Sequence, residues 1–279
     1  MKQKSKAIAF SVLIGAGYLI LFKLIGFAVK KSSIPGYWTK QLIVECIGTA
    51  IGIGLLALFR KLPVLREKGR PFSEYSLPLM LILVFFCGFR LIAGLYQMRG
   101  ASGLRPVTEI VLFCLSMLMI GVSEELVFRG LIQNLLQDAF RDKQEAGIRA
   151  AVFLCGTLFG LLHLMNVFSG IPFSAVAVQA VGAGAMGWIL CALYARCRNI
   201  WILSLVHAFF DLTGMFQVAI IADGGTVEEV ISSSAGDLTG NPLTTVLTLL
   251  ARTGIFAAIA LAMLQKKNLQ PLLRNEEIK

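Results

Sequence analysis

The sequence SEELVFR, residues 123–129, follows an apolar run at positions 107–122 and places two carboxylates and one guanidinium beside a membrane-type segment. Ionisable groups at such a place are expensive and usually functional. On a helix, Glu125 and Arg129 are four residues apart and can neutralise each other. Glu124 is rotated by about 100° from Glu125 and faces elsewhere. The stretch therefore predicts one ion pair and one free carboxylate.

The composition is that of a membrane protein. Of the 279 residues, 57% are hydrophobic and 15% are charged, and the mean hydropathy is +0.77. Soluble domains carry about 25% charged residues. The net charge of +10 is explained by lysines and arginines at helix ends near anionic lipid. No motif for DNA or RNA binding accompanies it, so we predict a lipid-embedded protein without a nucleic-acid partner.

Runs of roughly 20 apolar residues can cross a bilayer, and the chain contains eight candidates. They lie at 7–29, 42–59, 77–96, 107–122, 148–168, 174–195, 200–221 and 243–264. The predicted fold class is all-α, a polytopic membrane protein with about eight transmembrane helices.

We expect a single membrane domain with three parts. Residues 1–106 hold three helices without a recognisable motif, 107–221 hold the candidate catalytic core, and 222–279 hold an outer loop, the last helix and a tail. Lysines and arginines concentrate in the connections that share a side with the N-terminus. Because positive loops stay inside, this bias predicts that both termini are cytoplasmic.

The two histidines, His163 and His207, both lie in apolar runs. If the chain turns near Lys143, Glu124 and His163 reach nearly the same height, because antiparallel helices rise equally, about 1.5 Å per residue. His207 and Asp211 are four residues apart and share a helical face. The same counting places His207 about two turns from the level of His163. Four chemical groups can therefore converge if the helices tilt.

Two kinds of chemistry fit these four groups. In the first, Glu124 takes a proton from a water that His163 helps to hold, while His207 and Asp211 stabilise the oxyanion of a substrate carbonyl. In the second, the same histidines and carboxylates bind zinc and leave one position for water. The spacing matches no compact zinc motif such as HExxH, and both possibilities stay open.

Each residue also has a simpler interpretation. An intramembrane histidine is often only a hydrogen-bonded core residue. Glu125 and Arg129 can form a purely structural ion pair, and Asp211 can serve only to orient His207. Arg90 lies near the middle of a span without an evident partner.

Further charged and small residues lie within the spans. Lys23 and Arg252 are expected to snorkel or to pair with acidic neighbours. Small residues four apart, at 48–52 and at 156–160, form GxxxG patterns. These patterns predict ordinary close packing of helices.

The chain resembles the CPBP family, also called Abi, which includes type II CAAX prenyl endopeptidases and bacteriocin-processing proteins. Three motifs carry the resemblance: EExxxR at 124–129, FxxxH at 159–163 and HxxxD at 207–211. They occur in the family's order on separate apolar segments. In the eukaryotic prenyl proteases, asparagine stands where this chain has Asp211. A charged aspartate donates no hydrogen bond, which disfavours a direct oxyanion role for it.

The resemblance implies an eight-helix intramembrane endopeptidase with a cavity in the bilayer. By this analogy Glu124 and His163 activate water, and His207 and Asp211 form the oxyanion side. The supporting residues would be Glu125, Arg129 and Phe159. The family is described both as a metalloprotease family and as metal-free, so the resemblance implies either zinc or no cofactor.

The expected substrate is a membrane-embedded or membrane-bound peptide or protein. The compact chain resembles bacterial members of the plasma membrane, which are associated with bacteriocin self-immunity and peptide maturation. CAAX cleavage itself is less expected, because bacteria generally make no prenylated partner. Two other functions stay open: a binding or immunity protein with a vestigial site, and a metal or proton transporter. The transporter is disfavoured because the polar residues in the spans fall mainly in the second half of the chain.

Overall fold

The computed structural model describes residues 2–233 and 242–269. Helices make up 86% of the structure, and no strand occurs in the described residues. The predicted all-α class is therefore confirmed. The predicted tail beyond residue 269, and residues 234–241 of the predicted outer loop, lie outside the described ranges.

Residues 2–233 and 242–269 form eight long helices. They are α1 (Lys2–Lys31), α2 (Tyr37–Leu58), α3 (Ser76–Gly100), α4 (Val107–Ala139), α5 (Arg141–Ser169), α6 (Phe173–Cys197), α7 (Ile200–Gly214) and α8 (Pro242–Met263). Among the described residues, seven of these helices contain a stretch that is long and apolar enough to cross a membrane. α7 has 15 residues and is too short for that. The count of about eight is thus close.

The predicted span 200–221 is wrong in its length. α7 ends at Gly214, Met215 leaves the helical conformation, and a separate short helix follows at Phe216–Ile220. At this break the guanidinium of Arg90 packs against Gly214, where a Cβ would lie 3.0 Å from it. A second short helix, Val227–Ser233, leads towards α8.

The predicted span 107–122 is also too short. α4 continues through the SEELVFR stretch to Ala139, so the charged motif lies within the helix and not at its end. The helix can continue because its polar side chains are satisfied inside the protein: Gln133 donates to the Cys191 carbonyl at 2.9 Å, and Asn134 donates to the carbonyls of Arg129 and Gly130. Its segment Leu126–Gln133 is π-helical, a form that is frequent at functional sites.

Small residues bring α5 and α6 close together. A Cβ on Gly160 would lie 2.5 Å from the Ala180 carbonyl, and a Cβ on Gly156 would lie 2.6 Å from the Trp188 nitrogen. The second predicted GxxxG pattern therefore contacts α6 with its backbone, as close packing through small residues requires. This contact fixes the position of the C-terminal part of α5, where His163 lies.

The two ends of the bundle differ. At the end that carries the N-terminus, Lys4 pairs with Asp142 at 2.6 Å, and Lys61 pairs with Asp138 at 2.5 Å. We call this the N-terminal end. At the opposite end, called the far end, the α1–α2, α3–α4 and α5–α6 connections lie, and Lys23 donates to Ser169 at 3.1 Å.

Candidate active site

Glu125 links α4 to α7. Its side chain is fully buried, and Oε1 accepts a hydrogen bond from Nη1 of Arg129 at 2.8 Å and another from Nδ1 of His207 at 2.7 Å. The expected pair between Glu125 and Arg129 is present, and the carboxylate does more than neutralise the arginine. A carboxylate on Nδ1 holds an imidazole in one orientation.

Arg129 and Phe159 pack beneath this hydrogen-bonded group. The buried guanidinium lies over the Phe159 ring, with 4.6 Å between Cζ and the ring centroid. The same ring meets His163 and His207 edge-to-face, at centroid distances of 4.8 and 5.8 Å. Both imidazoles therefore pack on the Phe159 ring, which is consistent with a supporting place for both Phe159 and Arg129.

Nε2 of His207 faces two carboxylates. It lies 3.6 Å from Oε2 of Glu124 and 3.5 Å from Oδ2 of Asp211. Both distances exceed those of good hydrogen bonds, although they are close enough for strong charge interaction. Glu124 thus points away from Arg129, as its rotation on the helix predicts, and approaches the second histidine.

His163 lies where α5 tightens into the 3₁₀ segment His163–Ser169. Nδ1 donates to the Phe159 carbonyl at 2.9 Å, so Nε2 is directed away from the helix. The two-turn height difference expected between the histidines does not separate them, because both rings pack on Phe159. The chain turn that sets the height of His163 lies at Arg141–Lys143.

The four predicted site residues, Glu124, His163, His207 and Asp211, line one cavity of about 1670 Å³. Its wall reaches the far end of the bundle, where the end of α1 (Lys31), the start of α2 (Tyr37) and the Val227–Ser233 helix line it. A cavity of this size can admit a peptide segment, since pockets for small ligands measure about 300–1,000 Å³.

Glu45 on α2 is a site residue that the motif analysis missed. Its carboxylate is buried and accepts hydrogen bonds from Ser123 and from Gln41, each at 2.8 Å. Ser123 is the neighbour of Glu124 in the chain, so Glu45 fixes the backbone that carries the free carboxylate. A lone carboxylate in an apolar span was the signal that could have identified it.

Lys23 and Arg90 also line the cavity from the first half of the chain. Lys23 donates to Asn166 at 2.9 Å, in the 3₁₀ segment that begins with His163. Arg90 donates to the Phe210 carbonyl at 3.1 Å, and its guanidinium lies 4.2 Å from the centre of the Phe210 ring. Arg90 thus has a partner that its sequence position did not reveal.

The candidate zinc ligands are His163, His207, Asp211 and Glu124. Within residues 2–233 and 242–269, no three His, Cys, Asp or Glu side chains are grouped so that they could hold a metal ion. Nδ1 of His207 and Nδ1 of His163 are both engaged by protein oxygens. Zinc binding therefore stays a prediction.

Residues 106–213 match the family model described as "Type II CAAX prenyl endopeptidase Rce1-like". The similarity to the Rce1-like family lies in this segment. The match confirms the resemblance carried by the three motifs, and the segment contains every predicted site residue. No curated protein and no solved structure matches the chain.

The Rce1-like segment covers α4 to α7 and supports a membrane protease in general terms. Its apolar helices make the chain a multi-pass membrane protein. Lys23, Glu45, Arg90 and Arg252 line the same cavity from helices outside the Rce1-like segment. The predicted site residues and much of the cavity wall therefore come from different parts of the chain.

Proposed function

We propose that this protein is an intramembrane endopeptidase that hydrolyses a peptide bond inside the cavity with a water activated by Glu124. The observation that carries the proposal is the pair of adjacent glutamates on α4. Glu125 is held by Arg129 and by Nδ1 of His207, while Glu124 faces the cavity 3.6 Å from Nε2 of the same histidine.

Glu124 serves as the general base in this proposal. It takes one proton from a water whose oxygen attacks the carbonyl carbon of the scissile bond. As the carbon–nitrogen bond breaks, the same proton passes to the leaving amine, so the carboxylate is restored. His163 helps to hold the water, because its Nδ1 is engaged by the Phe159 carbonyl and Nε2 is left for a ligand.

His207 serves on the oxyanion side. Glu125, Glu124 and Asp211 surround it within 3.6 Å, and a positively charged imidazolium is the form that matches three carboxylates. In that form Nε2 donates a hydrogen bond to the carbonyl oxygen as negative charge develops there. Asp211 orients the ring and does not itself donate, since a charged carboxylate only accepts.

The substrate that we propose is a membrane-embedded or membrane-bound peptide or protein. Bacteriocin self-immunity or peptide maturation in a bacterial plasma membrane is the context implied by the resemblance. With both termini cytoplasmic, as the charge bias of the loops favours, the far end of the bundle faces outwards. Substrates would then reach the cavity from the bilayer or from the outer surface.

The test compares membrane-proteome N-termini from cells that express either wild type or Glu124→Gln at matched levels. New termini that appear only with wild type, and that appear also with Glu109→Gln, support the proposal. Glu109 is a matched control, because it lies on the same helix and pairs with Arg105 outside the site.

A binding or immunity protein with a vestigial site makes the opposite prediction. Its phenotype would survive Glu124→Gln, and the N-terminal profiles of the wild type and the variant would be identical. Such a result would contradict hydrolysis and reduce Glu124 to a structural carboxylate. A transporter would instead show Glu124-dependent movement of metal ions or protons in vesicles without new termini.

A further inference from the structure

Two arginines line the cavity from two antiparallel helices that contact each other. Arg90 comes from the middle of α3, and Arg252 comes from the middle of α8. Each lies at least ten residues from the nearer end of its helix, which is about 15 Å at 1.5 Å per residue. That is half of a hydrocarbon core of roughly 30 Å. Neither side chain can therefore reach a headgroup by snorkelling, and the expectation that Arg252 snorkels is not met by this geometry.

The register of α3 and α8 places both arginines at one level. Phe86 and Phe256 contact each other edge-to-face, with 4.6 Å between ring centroids. Arg90 follows Phe86 by four residues, whereas Arg252 precedes Phe256 by four. Because the helices run in opposite directions, both arginines lie about one turn from the aromatic contact on the same side, towards the far end.

Both guanidiniums are accommodated by glycines. A Cβ on Gly182 of α6 would lie 2.6 Å from Nη2 of Arg252, and a Cβ on Gly214 of α7 would lie 3.0 Å from the guanidinium of Arg90. Gly182 and Gly214 also line the cavity. The two charged groups are therefore seated against the cavity wall and have room because a side chain is missing there.

Neither guanidinium forms a direct salt bridge in the described part of the chain, although the charge of Arg90 interacts at longer range with that of Asp211. Arg90 makes a hydrogen bond to the Phe210 carbonyl and stacks on the Phe210 ring. For Arg252, the described residues provide no hydrogen bond and no ion pair. Positive charge without a directly bound carboxylate is expensive inside a bilayer, and such residues usually mark a ligand or ion pathway.

We propose that Arg90 and Arg252 form a binding subsite for a carboxylate of the peptide substrate. Guanidinium groups match the planar carboxylate with paired hydrogen bonds. The subsite deepens the proposed function, on which its role in catalysis rests, and it lies outside the Rce1-like segment.

The position of the subsite limits where the carboxylate lies in the substrate. Arg90 binds the carbonyl of Phe210, three residues from His207, which is a rise of about 4.5 Å along α7. An extended chain spans about 3.3–3.6 Å per residue. The carboxylate is therefore about one to three residues from the scissile bond. It is supplied either by a free C-terminus or by an Asp or Glu side chain.

The test measures binding separately from cleavage. Full-length Glu124→Gln protein in nanodiscs is offered three libraries of eight-residue apolar peptides: one with a free C-terminal acid, one with a C-terminal amide, and one with the amide and a single internal Glu. We expect retention of an acid-bearing library to exceed that of the amide library by about tenfold or more, as for a charge-assisted contact. The retained library identifies the source of the carboxylate.

The arginines are then changed in the same protein. Arg90→Gln and Arg252→Gln, singly and together, should reduce the preference for acid to about twofold or less, while Arg99→Gln should leave it intact. Arg99 is a matched control, because it belongs to the end of the same helix and does not line the cavity. Folding is checked by thermal unfolding, where Arg252→Gln should change the unfolding temperature little because it breaks no described hydrogen bond or ion pair.

Three results would overturn the proposal: equal retention of all libraries, retention of none, or a preference for acid that survives the double substitution. Failure of the proposed function looks different. In that case the arginine-dependent preference is present in binding, but the wild-type protein cuts none of the retained peptides.

Discussion

Nδ1 of His207 and Oε1 of Glu125 are joined by a hydrogen bond of 2.7 Å between α7 and α4. Glu125 is followed directly by the π-helical segment, and its carboxylate also receives Arg129. The adjacent Glu124 remains free of these contacts and faces the cavity. The two neighbouring carboxylates therefore have different surroundings: Glu125 holds the imidazole of His207, and Glu124 faces the cavity.

Glu124→Gln is expected to abolish cleavage and leave the fold intact. The amide cannot take a proton from water, which should lower the rate by about 10²–10⁴-fold. Because Glu124 forms no close hydrogen bond and approaches His207 at 3.6 Å, the unfolding temperature should change little. The measurement pairs peptide cleavage with thermal unfolding of the purified protein. Cleavage at the wild-type rate would remove Glu124 from the mechanism.

Glu125→Gln is expected to lose stability as well as activity. The substitution leaves Arg129 buried and without its counter-charge, and it weakens the hold on His207. Breaking a buried pair costs about 3–5 kcal/mol. The free energy of unfolding in detergent should therefore fall, in contrast to Glu124→Gln. If Glu125→Gln and Glu124→Gln had the same free energy of unfolding, the structural role of Glu125 would be contradicted.

Arg129→Gln and Arg105→Gln provide a matched comparison of two i,i+4 pairs with glutamate. The pair of Arg129 is fully buried, whereas that of Arg105 with Glu109 is partly exposed. We expect a loss of about 3–5 kcal/mol for the buried pair and at most about 1 kcal/mol for the exposed one. Equilibrium unfolding in detergent measures both.

Gly160→Ala should destabilise the contact between α5 and α6. The added Cβ would meet the Ala180 carbonyl at 2.5 Å, so the helices must separate and His163 must shift. Overpacking of this kind typically costs about 1–3 kcal/mol. Gly54→Ala on α2 is the control, because nothing lies within 4 Å of its Cβ. Reduced cleavage by Gly160→Ala at a temperature where it stays folded would show the shift of His163.

Glu45→Gln should slow cleavage without abolishing it. The substitution weakens the hydrogen bond from Ser123, which precedes Glu124. A hydrogen bond to a charged group contributes about 1.5–3 kcal/mol, and each 1.36 kcal/mol in the barrier is tenfold in rate. A reduction of about tenfold or more in kcat, with KM nearly constant, is expected. Ser123→Ala should have a similar effect, and a change in KM alone would contradict a positioning role.

Much of this architecture can be predicted from the sequence. Long apolar runs predict the spans because a bilayer demands them, and charged residues inside such runs stand out against that background. Spacing on α4 predicts the Glu125–Arg129 pair and the separate direction of Glu124. The break of α7 at Gly214 could not be predicted, because apolar residues continue on both sides of it and because Arg90, which packs beside it, belongs to another helix.

The hydrogen bond between Glu125 and His207 could not be predicted from the sequence either. It depends on how α7 is rotated against α4, and on a π-helical segment whose composition differs little from that of an ordinary helix. Glu45 belongs to no motif, and its role follows only from its contact with Ser123 across two helices. The rotation and contacts of one helix against another depend on side-chain packing, which cannot be read directly from a single sequence.

The predicted site residues and many other cavity-lining residues lie on different helices. This arrangement affects how the substrate preference of such a protein can change in evolution. α4, α5 and α7 carry the groups around Glu125. The cavity wall also contains residues from α1, α2, α3 and α8, namely Lys23, Glu45, Arg90 and Arg252. In the proposed protease, substitutions on α1, α3 and α8 can therefore change which peptides are admitted without disturbing the buried Glu125–Arg129 pair. Chimaeras that exchange those helices between homologues are a direct route to new cleavage preferences.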